Sequence, residues 1–138
     1  MPIITVKLSA TASPTLSAQL ADGIVAITAR VLHKRPDITA VTFDYTAPEH
    51  WIVGGRSLED HGTASFWLDI KIVDGTNTKD EKAAYLREIF AFMGSVLGPL
   101  HEESYALVHE VPADAYGFGG KTQEHRYIAG KLAAQGGR

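Results

Sequence analysis

The chain has 138 residues, enough for one domain with a core of its own. A formal net charge of -3, with 21% charged residues, leaves no basic footprint, so no nucleic-acid partner is expected. The sequence contains no cysteine, which excludes disulfides and thiol chemistry and fits a reducing compartment. It shows neither the pattern of a secretory signal nor an apolar run near the roughly 20 residues of a spanning helix; the expected location is cytoplasmic, without membrane contact.

Residues 2–8 alternate, with Ile4, Val6 and Leu8 on one face and Thr5 and Lys7 on the other, which predicts a half-buried strand. Ser13-Pro14 forms a natural N-cap and first-turn pair. Leu16, Leu20, Ile24, Ile27 and Val31 then recur at helical spacing, and Pro36 requires the helix to end before it. Val41, Phe43 and Tyr45 mark a second strand, and Trp51-Ile-Val-Gly-Gly55 a turn. The same order then returns. Residues 66–73 read as a strand, Asp74-Gly75 as a turn, and Thr78 with Glu81 as a capping box. Leu86, Ile89, Phe90, Met93 and Leu97 form a helical stripe closed by Gly98-Pro99. A strand over Tyr105–Val111 and the turn Tyr116-Gly-Phe-Gly-Gly120 complete the second unit.

The closing Gly-Gly pairs stand about 65 residues apart, which identifies a tandem βαβ duplication. The expected fold class is α/β (α+β): two βαβ units, 2–60 and 64–125, forming a four-stranded mixed sheet with both helices on one face. Residues 1–129 then form a single domain and 130–138 a flexible tail. The uncovered sheet face needs a partner for its apolar residues, so an oligomer is expected.

Proline directly after the initiator Met is the feature most suggestive of chemistry. Removal of Met1 leaves Pro2 with a free secondary amine. Free α-amino groups titrate at about 7.7–8.0, and burial in an apolar pocket lowers that value towards neutrality. Such a group suits general acid and base work, and the proline ring helps to aim its nitrogen. A Met-Pro start alone is common and usually idle; the strand and the duplicated unit that follow give it weight.

These residues resemble the tautomerase superfamily, whose members begin with a catalytic proline on this βαβ unit. The second half resembles 4-oxalocrotonate tautomerase through Ile70-Lys-Ile-Val-Asp-Gly75, Pro99, His109-Glu-Val111 and Tyr116-Gly-Phe-Gly-Gly120. The first half matches through Pro2-Ile-Ile-Thr-Val6, Pro36 and Trp51-Ile-Val-Gly-Gly55. In length the chain is similar to fused members such as cis-3-chloroacrylic acid dehalogenase. The resemblance implies a homotrimer with the prolines near subunit junctions. It also implies a tautomerase or isomerase that moves a proton on a small 2-oxo (enol) acid, without cofactor or metal. The second repeat starts near Phe66, which is neither proline nor a terminus, so Pro2 alone supplies an amine.

The family's two carboxylate-binding arginines are replaced. Thr76 follows Asp74-Gly75, and the second arginine position falls near Ala40 in the first half and Tyr105 in the second. Arg35, immediately before Pro36, matches a substrate-contacting lysine of the macrophage migration inhibitory factor members; Lys34 is the fallback. The same two cations could instead complement the end of the preceding helix. Arg30 and Arg56 are weaker candidates. Tyr116 matches an aromatic residue beside the family's proline and could donate to a developing enolate, or it and Trp51 could be paired core aromatics. Tyr105 is a further candidate for substrate contact.

The segment Ala115–Thr122 approaches a P-loop but lacks the first glycine and opens no helix. The six histidines show no metal-type pairing, and His109 and Glu110, adjacent on a strand, face opposite ways. The alternatives to a tautomerase are a hydratase or dehalogenase of a small unsaturated acid, or a non-catalytic ligand-binding protein.

Overall fold

The computed structural model describes residues 2–136. Four strands make the main sheet: β1 (Ile3–Leu8), β2 (Ala40–Tyr45), β5 (Phe66–Val73) and β6 (Tyr105–Val111), in the order β2-β1-β5-β6. β1 runs parallel to β2, with Ile3 opposite Ala40, and β5 parallel to β6, with Trp67 opposite Tyr105. The two halves meet antiparallel, Ile3 opposite Lys71 and Leu8 opposite Phe66. The sheet is therefore mixed, as expected.

Helices α1 (Pro14–Leu32) and α3 (Lys79–Leu97) are the two crossovers and pack on each other over one sheet face. Ser13 caps α1 by accepting from the Leu16 amide at 3.2 Å, with Pro14 beginning the helix. The helix ends in His33, which turns left-handed at φ 61. The capping box of α3 is complete: Thr78 Oγ1 accepts from the Glu81 amide at 3.1 Å, and Glu81 Oε1 from the Thr78 amide at 2.7 Å.

The core lies between the helices and the inward residues of the sheet. Ile4, Val6, Leu8, Phe66, Leu68 and Ile70 meet Leu20, Ile24, Tyr85 and Ile89, all without exposure. Two polar groups share this core. Thr28 Oγ1 donates to Ile24 O at 2.7 Å and accepts from the Tyr85 hydroxyl at 2.8 Å. Burial pushes the Tyr85 phenol up to about 12. By length and composition α1 is apolar enough to cross a membrane, which sequence analysis did not anticipate, but its apolar stripe is laid on the sheet.

Two short hairpins repeat one another. β3 (Ile52–Val53) and β4 (Arg56–Ser57) turn at Gly54-Gly55; β7 (Gly117–Phe118) and β8 (Lys121–Thr122) turn at Gly119-Gly120. All four glycines have positive φ, as a tight hairpin turn requires. A one-turn α2 (Leu58–His61) follows the first hairpin. After the second comes α4 (Gln123–Gly136), where sequence analysis read no helix after Thr122 and a flexible tail from residue 130. Residues 137 and 138 of that tail lie outside the described residues.

The second sheet face carries no helix, and it is less apolar than expected. Ile3, Trp67, Tyr105 and Leu107 are exposed there. Between them Asp69 receives Lys71 Nζ at 2.7 Å on one carboxylate oxygen and His109 Nε2 at 2.6 Å on the other. The opposed facing of His109 and Glu110 follows: Glu110 pairs with Lys82 of α3.

Candidate active site

Pro2 is buried at the head of β1, and its carbonyl accepts from the Ala40 amide at 3.3 Å. Because β1 is parallel to β2 and antiparallel to β5, this point gathers the start of β2, the end of β5 and the residues after β6. Tyr116 is brought here from the second repeat. Its hydroxyl faces the Lys71 carbonyl at 3.4 Å, and the Ile3 amide donates to it. Burial pushes this phenol up, and the Ile3 amide partly offsets the effect. A phenol held neutral remains a donor, the form that can stabilise a developing oxyanion.

The two cations proposed for the carboxylate differ in their surroundings. Lys34 is half-buried, and its Nζ donates to Thr76 Oγ1 at 3.0 Å. Thr76 in turn donates to Val73 O at 2.6 Å, so Lys34 reaches over the turn that closes β5. Burial holds the Lys34 amine below its ordinary 10.5, with Glu81 pulling weakly the other way. Arg35 is exposed and grips Asp37 with both ends of its fork, Nη2 to Oδ2 at 2.7 Å and Nε to Oδ1 at 3.3 Å. Arg30 pairs with Glu88 on α3 at 2.6 Å, and Arg56 donates to Asp60 O at 3.1 Å.

Tyr105 is not brought to Pro2 within one chain. It opens β6 opposite Trp67, and Trp67 stands opposite Lys7, near the far end of β1. The antiparallel junction of the two repeats is the cause: a residue opening β6 lies at the end of the sheet where β1 finishes. There Tyr105 stacks on Trp67, with ring centres 5.5 Å apart, and gives its hydroxyl to Glu103.

The same crossing separates Tyr116 from Trp51, which sequence analysis considered as a pair. Laying β5–β6 over β1–β2 places Trp67 on Ile3 and therefore Phe66 on Pro2. Phe66 has no exposure and packs beside Phe90. Each repeat's hairpin aromatic thus serves the other repeat's strand. Tyr116 serves the Pro2 end, while Trp51 and Trp67 line a cavity of about 360 Å³ with Lys7, Asp44 and Asp69 at the opposite end. Sequence reasoning missed the Asp69, Lys71 and His109 cluster. Asp69 and Lys71 share a face by alternation, but His109 joins them only through the register of β5 on β6.

No protein-family model matches the sequence, and no curated protein matches it. Solved structures do resemble it in three dimensions. An asymmetric trimer of wild-type fused 4-OT aligns with a TM-score of 0.78 at 18% identity, over 91% of this chain and 98% of that one. Pt0534 inactivated by 2-oxo-3-pentynoate aligns at 0.77 with 13% identity, over 90% and 98%. A macrophage migration inhibitory factor-like protein from Entamoeba histolytica aligns at 0.72 with 18% identity, over 88% and 97%. The chain has the tautomerase fold.

Proposed function

We propose that this chain is an isomerase moving a proton between oxygen and carbon of a small 2-oxo (enol) acid, with the amine of Pro2 as base and acid once Met1 is removed. The observation that carries the reading is the meeting of a buried Pro2 with the Tyr116 hydroxyl, which reaches the backbone of Ile3 and Lys71 from the other repeat. In ketonisation the neutral amine takes the enol O–H proton, and the freed pair forms the C=O bond. The former C=C pair then takes the proton from the Pro2 ammonium at carbon. Tyr116 donates to the oxygen while it is negative. Its present bond to Lys71 O, at 3.4 Å, is long enough to be exchanged for that shorter one.

Lys34 is the better placed of the two cations for the substrate carboxylate. It is held part-desolvated with a neutral hydroxyl as partner, whereas Arg35 is spent on Asp37. Desolvation strengthens the attraction of an ammonium for a carboxylate. The trimeric state of the fused 4-OT structure and the mixed open sheet face support a homotrimer here.

The deciding experiment uses the natively produced chain and phenylenolpyruvate, with ketonisation followed by ultraviolet absorbance. Intact mass should show Met1 absent. 2-Oxo-3-pentynoate, whose conjugated alkyne accepts an amine, should add once, on the Pro2 peptide, and abolish turnover. Pro2→Ala should lower kcat far more than it changes KM. Retention of Met1 in fully active protein, or no ketonisation of any small enol acid, overturns the reading.

A further inference from the structure

Helix α4 leaves the body with an apolar stripe that its own chain does not cover. Tyr127, Ile128 and Leu132 are 66%, 50% and 62% exposed, and no residue of the helix is buried. The root, by contrast, is tied firmly. The Gln123 amide donates to Tyr116 O at 2.8 Å and the Glu124 amide to Ala113 O at 3.0 Å. The Arg126 guanidinium lies over the Phe118 ring at 3.8 Å and donates to Phe118 O at 3.0 Å. A helix of this length gains little from its own hydrogen bonds in water and owes its stability to what covers its apolar side.

The body offers a surface of matching chemistry. A groove of about 250 Å³ runs between α3 and the edge strand β6, lined by Phe66, Leu86, Phe90, Ser104, Tyr105 and Ala106. Leu86, Phe90 and Tyr105 are each between 38% and 49% exposed. Exposed Glu102 and Glu103 stand beside it, just before β6. The stripe of α4 is flanked by Lys131, whose ammonium lies 5.2 Å from the Tyr127 ring centre. An apolar ridge with a basic flank thus has an apolar groove with an acidic rim to match. Within one chain the two stand apart. The groove lies where β6 begins, α4 is rooted beyond the end of β6, and in its own chain α4 packs chiefly on β8.

We propose that α4 is an arm that docks into the α3–β6 groove of a second copy of this chain. Each copy presents one ridge and one groove, so every copy can both give and receive the arm. It meets the open sheet face only at Tyr105, since the rest of the groove sits at the sheet's edge and on the helix side. The root of the arm is bonded to the Tyr116 backbone, so docking also steadies Tyr116 beside Pro2. That last consequence rests on the function proposed above; the docking itself does not.

The absence of native cysteine allows a direct test. A full-length variant carrying both Leu132→Cys and Leu86→Cys, oxidised mildly, should form disulfides between chains and run as covalent multimers in denaturing gels. Each single variant should stay monomeric there. Mixing the two single variants should give a covalent dimer. A disulfide within one chain, seen as a faster monomer band, overturns the proposal. So does failure to cross-link in double-variant protein whose circular dichroism is unchanged. In a second arm Leu132→Asp, at the exposed end of α4, should lower the thermal midpoint of the assembled chain at micromolar concentration. An unchanged midpoint overturns the docking whatever the activity. Binding of the native chain to phosphatidylglycerol vesicles without self-association assigns the stripe to a lipid surface and equally overturns it.

Discussion

Lys34 and Arg35 are neighbours in sequence with opposite surroundings, and the difference predicts their kinetics. Arg35 already has a carboxylate partner at the surface, where such pairs contribute about 0–1 kcal/mol. Lys34 is half-buried against a neutral Thr76. Lys34→Ala should therefore raise KM about ten- to a hundredfold, corresponding to roughly 1.5–3 kcal/mol for a charge-assisted hydrogen bond, and change kcat less. Arg35→Ala should shift KM only a few-fold, within about 1 kcal/mol. Steady-state assays on an enol acid decide between them, and the reverse order would return the clamp to Arg35. A pH dependence follows. Burial holds the Lys34 amine below 10.5, and only its ammonium binds a carboxylate. KM should rise as pH climbs through that lowered value, at a lower pH than an unperturbed lysine would give. Lys34→Arg, if it binds at all, should lose this alkaline limb, because arginine stays charged.

At the scale of the element, the contact between α1 and α3 hinges on a short polar chain inside an apolar layer. Tyr85 donates to Thr28, and Thr28 donates to the Ile24 carbonyl. Thr28→Val keeps the shape but strands the Tyr85 hydroxyl, which should destabilise the fold by about 1–3 kcal/mol. Adding Tyr85→Phe removes the stranded group and should recover much of the loss, so urea melts of the two singles and the double should be clearly non-additive. The Tyr85 phenol is raised to about 12 in the folded chain, against 10.0 ordinarily. The native state therefore keeps a proton that the unfolded chain releases between these values. The stabilisation is fully present below 10.0 and is lost as pH rises towards 12, a decline that Tyr85→Phe should lessen.

Elements of this kind were legible in sequence because their causes are local. Alternation placed the four long strands, and Ser13-Pro14 and Thr78 with Glu81 placed the starts of both long helices. Tyr105 shows where local reasoning stops. Its position in the repeat suggested substrate contact, but which end of the sheet it occupies is set by the antiparallel joining of β1 and β5. His109 beside Asp69 has the same origin. The choice between Lys34 and Arg35 was equally out of reach, since it depends on Asp37 capturing one and Thr76 the other. The whole of α4, from Gln123, was hidden by weak periodicity and, towards its end, a Gly- and Ala-rich composition.

For the whole molecule, the mixed sheet face makes a specific demand on assembly. Asp69 and Lys71 neutralise one another, with the His109 ring on the second carboxylate oxygen, among exposed Ile3, Trp67 and Leu107, a polar cluster that brings its own partners into an enclosed surface. The chain should sediment as a homotrimer at micromolar concentration, and light scattering that finds a monomer refutes this. Asp69→Asn removes the carboxylate that both Lys71 and His109 contact on that face and should lower the trimer's thermal stability, with a larger effect at low than at high salt.

Phe66, fully enclosed where the repeat would repeat Pro2, has a consequence for how this sequence can change. When one short chain builds both halves of such a sheet, every substitution is made twice, once in each setting, and must be tolerable in both. Here the halves are inherited together but altered separately. The second strand can carry a buried ring where the first carries Pro2, and Trp67 and Tyr105 can stack beside it, with no penalty at the Pro2 end. Drift in residues 66–111 is therefore filtered by packing and assembly. Under the proposed function, drift around Pro2, Lys34 and Tyr116 is filtered by chemistry. A deep mutational scan scored separately for abundance and for turnover should divide along that line, with Tyr116 as a turnover-sensitive position inside the abundance-sensitive half.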